Sequence, residues 1–464
     1  MDLETYKNAT GLELGALVAS GDASPVELTE CALHIAEADE PQINAYAALL
    51  RDRALVQAAD LESEARSGSL RGPLHGVPIA IKDNMLYAGE PTWKGSLTTS
   101  DTPAATSAPM VQRLLDAGTV IIGRTTTPEM GWKGTGISPR TGITRNPWDH
   151  SRNSGGSSAG SGATVASGAV PIATGTDAGG SVRIPASFCG VVGLKPTLSA
   201  IPLWPGTVNE SLSHAGPLTR SVADAHEVLR ITRGPDSRDP QSYWSRPLPE
   251  RAGGRLRIGL VRDPFGSAPD ATTTAVVDAA LRALQASGTA DFQDVDLPGR
   301  PRSIFEDLWV TGRGLGFLDL AAVSGDMMDP GLVRLGPIAK TYSLADYYAT
   351  LTARRAFNAA MSAVLEDVDL LVMPTLPLTA FAADAEVPEG GEAGAPLPWI
   401  TWTPYTYPFN ITGQPAISLP CGFDVHGLPV GLQIVGPWAG DDLMLTYAAE
   451  AEAHLGPLVR ARHT

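Results

Sequence analysis

The sequence predicts an α/β fold. Short apolar, β-branched runs alternate with helix-length segments at helix-sized spacing, which is the pattern of strands packed between helices. The composition, 43% hydrophobic and 18% charged over 464 residues, is that of a chain able to build a large core. A third observation, 38 prolines and 49 glycines, implies many tight connections.

The elements follow in order. Residues 10 to 68 read as helices. In SPVELTECALHIAEADE, Ser24 stands as N-cap, Pro25 takes the first helical position and Glu27 the third, ahead of helically spaced apolar residues. DRALVQAADLESEARSG is a second helix, closed by Gly68. Alternation then begins: VPIAIKDN is a buried strand, APMVQRLLDAG a helix and TVIIGRT a strand. It resumes with the strand RLRIGLVRD, the helix DATTTAVVDAALRALQASG and the strand ADFQDVDLP. DYYATLTARRAFNAAMSAVLED is a long helix leading into VDLLVMPTLP, an apolar strand stopped by proline. QPAISLPCGF, GLPVGLQIVGP and the helix DDLMLTYAAEAEAHLG complete the pattern. AADAEVPEGGEAGAPLPW reads as a surface loop within one core and not as a linker between two.

Charge and cysteines exclude several function classes. A net charge of −16 argues against nucleic acid and against anionic membranes, both of which need a basic face. MDLETYKNAT has no basic segment followed by an apolar one, so no signal peptide is expected. The longest apolar stretch, GATVASGAVPIATG, is too short to span a bilayer. Cys31, Cys189 and Cys421 are odd in number and far apart, which fits a reducing cytoplasm. The eight histidines form no metal-binding pair and there is no CxxC, so no metal is expected.

One stretch does not fit this plain picture. NSGGSSAGSG, residues 153 to 162, has the composition of a flexible linker, yet it runs directly into GATVASGAVPIATG, which is small-residued and apolar and therefore buried. Gly and Ser pressed against buried backbone mark a place where main chains approach closely. Downstream, GTDAGGSVR sets Ser181 behind two glycines. The N–H groups of Ala178, Gly179, Gly180 and Ser181 are candidates for an oxyanion hole there. A serine nucleophile needs a base, and no histidine lies near in sequence. The chain has six lysines, and Lys82 ends the apolar run GVPIAIKDN. A lysine leaving a buried strand has its pKa depressed by desolvation and can act as a neutral base. A lysine paired with Asp83, or capping the strand end, is the competing reading of the same residues.

These segments resemble the amidase signature family. The resemblance rests on GVPIAIKDN, GGSSAGSG and GTDAGGSVRIPASFCGVVGLKPT, and extends through GRTTTPEMGWKGTG, TRNPWD, GPLTRSVAD, DLLVMPT and GQPAISLPCGF to GLPVGLQIVG, essentially the whole chain. It implies a mixed, largely parallel central sheet flanked by helices. It implies one domain over 1–464, with helices of 1–70 packed on the core, a catalytic core at 70–220, and the remaining sheet, helices and substrate loops at 250–464. It implies amide hydrolysis by a Ser–cis-Ser–Lys triad: Ser181 as nucleophile, Ser157 as the bridging serine behind a cis Gly156–Ser157 bond, and Lys82 as base. Ala159 and Gly162 depart mildly from the family pattern at positions that do not react. No cofactor is implied.

Around this triad, Ser158 is expected to bond within the loop or assist the relay. Asp177 and Arg183 read as an ion pair bracing the loop, with recognition of a substrate carboxylate by Arg183 as the sharper alternative. Met130, Gly131, Trp132 and Trp204 are the candidate substrate pocket, and with Trp309, Phe317, Trp399, Trp402, Tyr405 and Tyr407 they raise aryl amides, anilides and carbamates as substrates. Partners are then a small amide, ester or carbamate, making the chain a urethanase candidate, monomeric or homodimeric. Gly156-x-Ser158-x-Gly160 also fits the nucleophile elbow of α/β-hydrolases, but lacks the strand–elbow–helix context. The remaining alternative is the glutaminase subunit of a tRNA-dependent amidotransferase, which residues 300 to 350 and the tail EAHLGPLVRARHT do not resemble closely.

Overall fold

The computed structural model describes residues 1–243 and 254–456. Eleven strands form one mixed sheet. In chain order they are β1 (Tyr46–Leu49), β2 (Pro78–Lys82), β3 (Val120–Thr125), β4 (Ile172–Asp177), β5 (Val192–Lys195), β6 (His214–Thr219), β7 (Leu256–Leu260), β8 (Ala290–Asp294), β9 (Leu370–Pro374), β10 (Ala416–Phe423) and β11 (Pro429–Val435). Across the sheet they stand β1-β3-β2-β4-β6-β5-β10-β11-β9-β7-β8. Parallel pairings occupy two blocks, β3-β2-β4 and β9-β7-β8, and antiparallel ladders join them through the middle. Helices flank the sheet, as expected of an α/β chain.

The flanking helices named here lie where the sequence puts them. Pro25–Ile43 starts on Ser24, whose hydroxyl accepts the Glu27 N–H at 3.1 Å. Arg51–Arg66 is followed by Gly68 at φ +77°. Pro109–Asp116, Ala271–Ser287, Leu344–Asp367 and Asp441–Leu455 coincide with the other amphipathic runs. Residues 382–397 form no helix or strand, as read, and Pro398–Trp402 makes a short 3-10 helix. This loop is tied down: Glu386 accepts from Lys133 Nζ at 2.5 Å and from Thr135 Oγ1 at 3.0 Å.

Several elements carry no sequence pattern. Helix Ala159–Ser167 is buried on every side, so it has no polar face to produce a 3.6-residue period, and its two glycines lower its propensity. The central strands β4, β5 and β6 are buried along nearly their whole length and show no alternation. The end of the tail EAHLGPLVRARHT, residues 457–464, lies outside the described residues.

The pairing of β2 with β4 positions the site. They run parallel, with Ile79 opposite Ile172 and Ala80 opposite Ala173, so Lys82 and Thr176–Asp177 leave the sheet at the same edge. Carboxyl ends of parallel strands are where α/β sheets place their ligands.

Candidate active site

The Gly/Ser stretch is packed solid. Every residue from Asn153 to Gly175 is buried. A methyl group at Gly156 would sit 2.4 Å from the Thr135 carbonyl oxygen, and one at Gly160 would sit 2.0 Å from that of Ala45. Only glycine admits these approaches. The Gly156–Ser157 peptide bond is cis, as the resemblance implied.

This loop delivers two hydroxyls to the end of β2. Lys82 Nζ lies 2.8 Å from Ser157 Oγ, 3.0 Å from Ser158 Oγ and 3.0 Å from Thr176 Oγ1. All three partners are neutral and can either donate or accept, so an uncharged amine is satisfied here, its lone pair taking one hydroxyl proton. Burial pushes the Lys82 pKa well below its ordinary value; Asp177 pulls the other way and the charge of Arg313 adds to the depression. The competing pairing with Asp83 does not form. Asp83 is held by Arg124 Nε at 2.9 Å.

Ser158 is tied to residues outside the loop. Its hydroxyl accepts from Thr176 N at 3.3 Å, and its N–H donates to the Ser181 carbonyl at 3.1 Å. Sequence reasoning passed over Thr176 and Asn84. Thr176 Oγ1 faces Lys82 and also accepts from Asn84 Nδ2 at 2.9 Å. The signal was present in their neighbours: Asn84 is two residues from Lys82, and Thr176 directly precedes Asp177.

Ser181 and Ser157 open on the same cavity, of about 260 Å³. The Ser181 hydroxyl has no hydrogen-bond partner among the described residues. The expected set of oxyanion donors needs one correction. The N–H of Gly180 donates to Asp177 Oδ1 at 2.7 Å and is thereby spent, which leaves Ala178, Gly179 and Ser181 as the candidates.

Asp177 and Arg183 form a fully buried pair. Arg183 Nε reaches Asp177 Oδ2 and Nη2 reaches Oδ1, both at 3.0 Å. Nη1 donates to Thr406 O and Gln433 Oε1, and Nη2 also to Asn410 Oδ1. Burial opposes ionisation of Asp177, but the charge and hydrogen bonds of Arg183 outweigh it and hold the carboxyl below its usual range. With its donors engaged and no exposure, Arg183 is a brace and has nothing left for a substrate carboxylate.

The substrate-pocket expectation divides. Met130 and Gly131 line the cavity, as does Phe317; Trp132 and Trp204 do not. Trp132 is buried against Gly331, and Trp204 is half-buried beneath Arg238. Trp309, Trp399, Phe305 and Tyr407 pack on one another with ring centres 4.9 to 5.7 Å apart. This cluster backs Gly179, where a methyl group would meet Phe305 and Trp399 at 2.7 Å. These aromatics support the glycine turn from behind; they are core.

The chain is similar to known proteins over nearly its whole length. The family model described as Amidase matches residues 27–312 and 319–445. An acylamidase of Rhodococcus erythropolis is 35% identical over 456 residues, covering 95% of this chain and 94% of the relative. A glutamyl-tRNA(Gln) amidotransferase subunit of a Cyanothece species is 34% identical over 472 residues, covering 94% of this chain and 96% of the relative. Among solved structures, 6-aminohexanoate cyclic dimer hydrolase bound to its substrate superposes with a TM-score of 0.87 at 31% identity, covering 100% of this chain and 99% of that one.

Proposed function

The chain belongs to the amidase signature family and is a hydrolase of amide C–N bonds, and from that premise we propose that it works through an acyl-enzyme on Ser181, with Ser157 and Lys82 as its proton relay. The observation that carries this reading is the environment of Lys82: an amine buried among three hydroxyls, with no carboxylate on it among the described residues, beside the cavity that holds both serines.

In the proposed reaction, Ser181 Oγ attacks the amide carbonyl carbon. Its proton passes to Ser157, whose own proton passes to the lone pair of Lys82 Nζ. The carbonyl oxygen, now an anion, faces the N–H groups of Ala178, Gly179 and Ser181. Lys82 then returns its proton through Ser157 to the leaving nitrogen, the C–N bond breaks and the amine departs. Protonation at this step matters because an amide anion does not leave unaided. A water molecule takes the amine's place and repeats the relay, releasing the acid and restoring Ser181. Esters and carbamates fit the same chemistry. The unbroken sheet from β1 to β8 supports treating 1–464 as one domain.

Ser181→Ala is expected to lower kcat on an anilide by about 10⁴-fold or more. Mass spectrometry after a serine-directed inhibitor should place the adduct on Ser181. An adduct on Ser158, with Ser181 unmodified, would overturn the assignment.

The identity with the amidotransferase relative favours a second reading, glutamine hydrolysis feeding ammonia to a partner protein. Glutamine brings an ammonium group, however, and among the described residues no Asp or Glu lines the cavity to receive it. Turnover of a simple anilide by the isolated chain, without partners, separates the two readings.

A further inference from the structure

Among the described residues, the cavity that holds Ser157 and Ser181 carries two further cations and no acid. Its lining includes Lys94 and Arg313. This is the reverse of the molecule as a whole, whose net charge is −16.

Arg313 is the less ordinary of the two. It is only 7% exposed. It makes one hydrogen bond, Nη1 donating to the Met130 carbonyl at 2.7 Å, and its Nε is buried without a partner among the described residues. The guanidinium lies 4.9 Å from the ring centre of Trp309 and 5.9 Å from that of Phe317, contacts that offset part of its desolvation. Among the described residues, Arg124, Arg183 and Arg313 are the arginines buried to this degree. Arg124 holds Asp83 and Arg183 holds Asp177; Arg313 holds no carboxylate. A buried charge without a counter-charge is costly, and such a cost persists where a ligand supplies the missing partner.

The burial is built into the local sequence GRGLG, residues 312 to 316. A methyl group at Gly312 would sit 2.4 Å from Asn209 Nδ2, and one at Gly314 would sit 2.4 Å from the Leu335 carbonyl oxygen. These glycines let the chain at 208–209 and the helix Pro330–Ala339 close over Arg302–Gly316 on both sides of the arginine.

Lys94 stands at the same cavity, half-buried, with its backbone at φ +53°. It is pinned on both sides, its N–H donating to Asp83 O at 2.9 Å and its carbonyl accepting from Met130 N at 2.7 Å. Its ammonium makes no ion pair among the described residues. Met130 thus links the two cations, bonded to Lys94 through its N–H and to Arg313 through its carbonyl.

We propose that Arg313, with Lys94, forms an anion subsite, and that the preferred substrate is an amide carrying a carboxylate held at this subsite while its carbonyl sits at Ser181. This rests on the reading of the cavity as an amide-hydrolysing site. It assigns to Arg313 the carboxylate recognition for which Arg183 has no free donor.

Two matched series test it. One places the carboxylate on the acyl side: succinyl, glutaryl and adipoyl 4-nitroanilides against butyryl, valeryl and hexanoyl 4-nitroanilides. The other places it on the amine side: N-butyryl derivatives of glycine, β-alanine and 4-aminobutyrate against the N-butyryl alkylamines of equal length. Binding to the Ser181→Ala protein is measured by calorimetry and turnover by the unmodified enzyme. In at least one series the carboxylate should improve Kd and kcat/KM by about 10- to 100-fold, the range that charged hydrogen bonds give. Arg313→Gln should collapse that ratio, and Arg313→Lys should retain part of it.

Equal binding of charged and neutral members in both series overturns the proposal. So does an Arg313→Gln variant that loses equally on both members, the signature of an arginine that only holds Met130. If the Ser181→Ala protein prefers the carboxylates while the unmodified enzyme turns over neither series, the subsite stands and the hydrolytic reading of the cavity falls.

Discussion

The floor and the wall of the candidate active-site cavity are built on opposite plans. On the floor, Lys82, Ser158, Thr176 and the Asp177–Arg183 pair are each met by two or more partners. The Ser181 hydroxyl has no partner among the described residues. On the wall, Arg313 is buried with, among the described residues, a single neutral hydrogen bond. The floor holds its groups in place before any substrate arrives, which is what electrostatic preorganisation requires. The wall leaves a charge that, on the proposed reading, a substrate carboxylate satisfies. On the proposed reading, fixed chemistry and substrate choice are kept apart in one cavity, the first on strand ends and a glycine loop, the second on a helix more than a hundred residues away.

The largest test of the comparison is on the floor. Lys82→Met keeps the volume and burial of the side chain and removes the proposed base. Activity should fall by about 10²- to 10⁴-fold with the unfolding midpoint kept or raised, because a desolvated amine is replaced by an apolar group. Steady-state kinetics and thermal unfolding on the same sample check both halves. A variant with near-normal activity would mean that the relay does not begin at Lys82.

The two regions were also unequally legible in the sequence. Part of the floor could be read because its demands are local, whereas the bridging role of Ser157 and the cis bond before it came only with the family resemblance. A lysine at the end of the apolar run VPIAIK, a serine behind two glycines, and a Gly/Ser run entering a buried segment each state a backbone or solvation condition within ten residues. Thr176 was missed because a threonine in a strand gives no local sign of what it faces. The wall could not be read. Arg313 sits in a helical stretch with an ordinary apolar stripe, and its burial depends on Asn209 and Leu335, which the fold brings to it. The aromatics failed for the complementary reason. Trp132 and Trp204 are as suited to a pocket as to a core, and only three-dimensional placement separates the two. At the level of the fold, strands flanked by amphipathic helices were evident, whereas β4 to β6, buried and without alternation, were not.

A second test concerns stability. Asp177→Asn leaves Arg183 buried with less than its full counter-charge and loosens the bond to the Gly180 N–H. The expected loss is about 3–5 kcal/mol in denaturant unfolding, against about 0–1 kcal/mol for Glu62→Gln at the exposed pair with Arg66. The Asp177 carboxyl is held below its ordinary value in the folded protein. Its contribution is therefore complete above the usual carboxylate range and is lost as pH falls through the depressed folded value. Asp177→Asn should remove that part of the acid dependence. Equal costs for the two pairs would mean that the floor is no more tightly determined than the surface.

The smallest expected effect links the two regions and asks whether the wall's charge reaches the floor. Burial is the main cause of the depressed Lys82 pKa, Asp177 opposes it, and Arg313 reinforces it. In the proposed relay activity depends on the neutral amine, so it should rise with pH through the Lys82 titration. In Arg313→Met the ammonium form of Lys82 is relieved of a neighbouring positive charge while the pull of Asp177 remains. Its pKa moves up, and the acid limb of kcat/KM for a neutral anilide shifts to higher pH. The hydroxyls of Ser157, Ser158 and Thr176 carry no charge in this range and do not alter the sign. A limb that stays in place would show that the wall acts on the substrate alone. A shift toward lower pH would contradict a neutral Lys82 as the working form, because removing a cation cannot favour the uncharged amine.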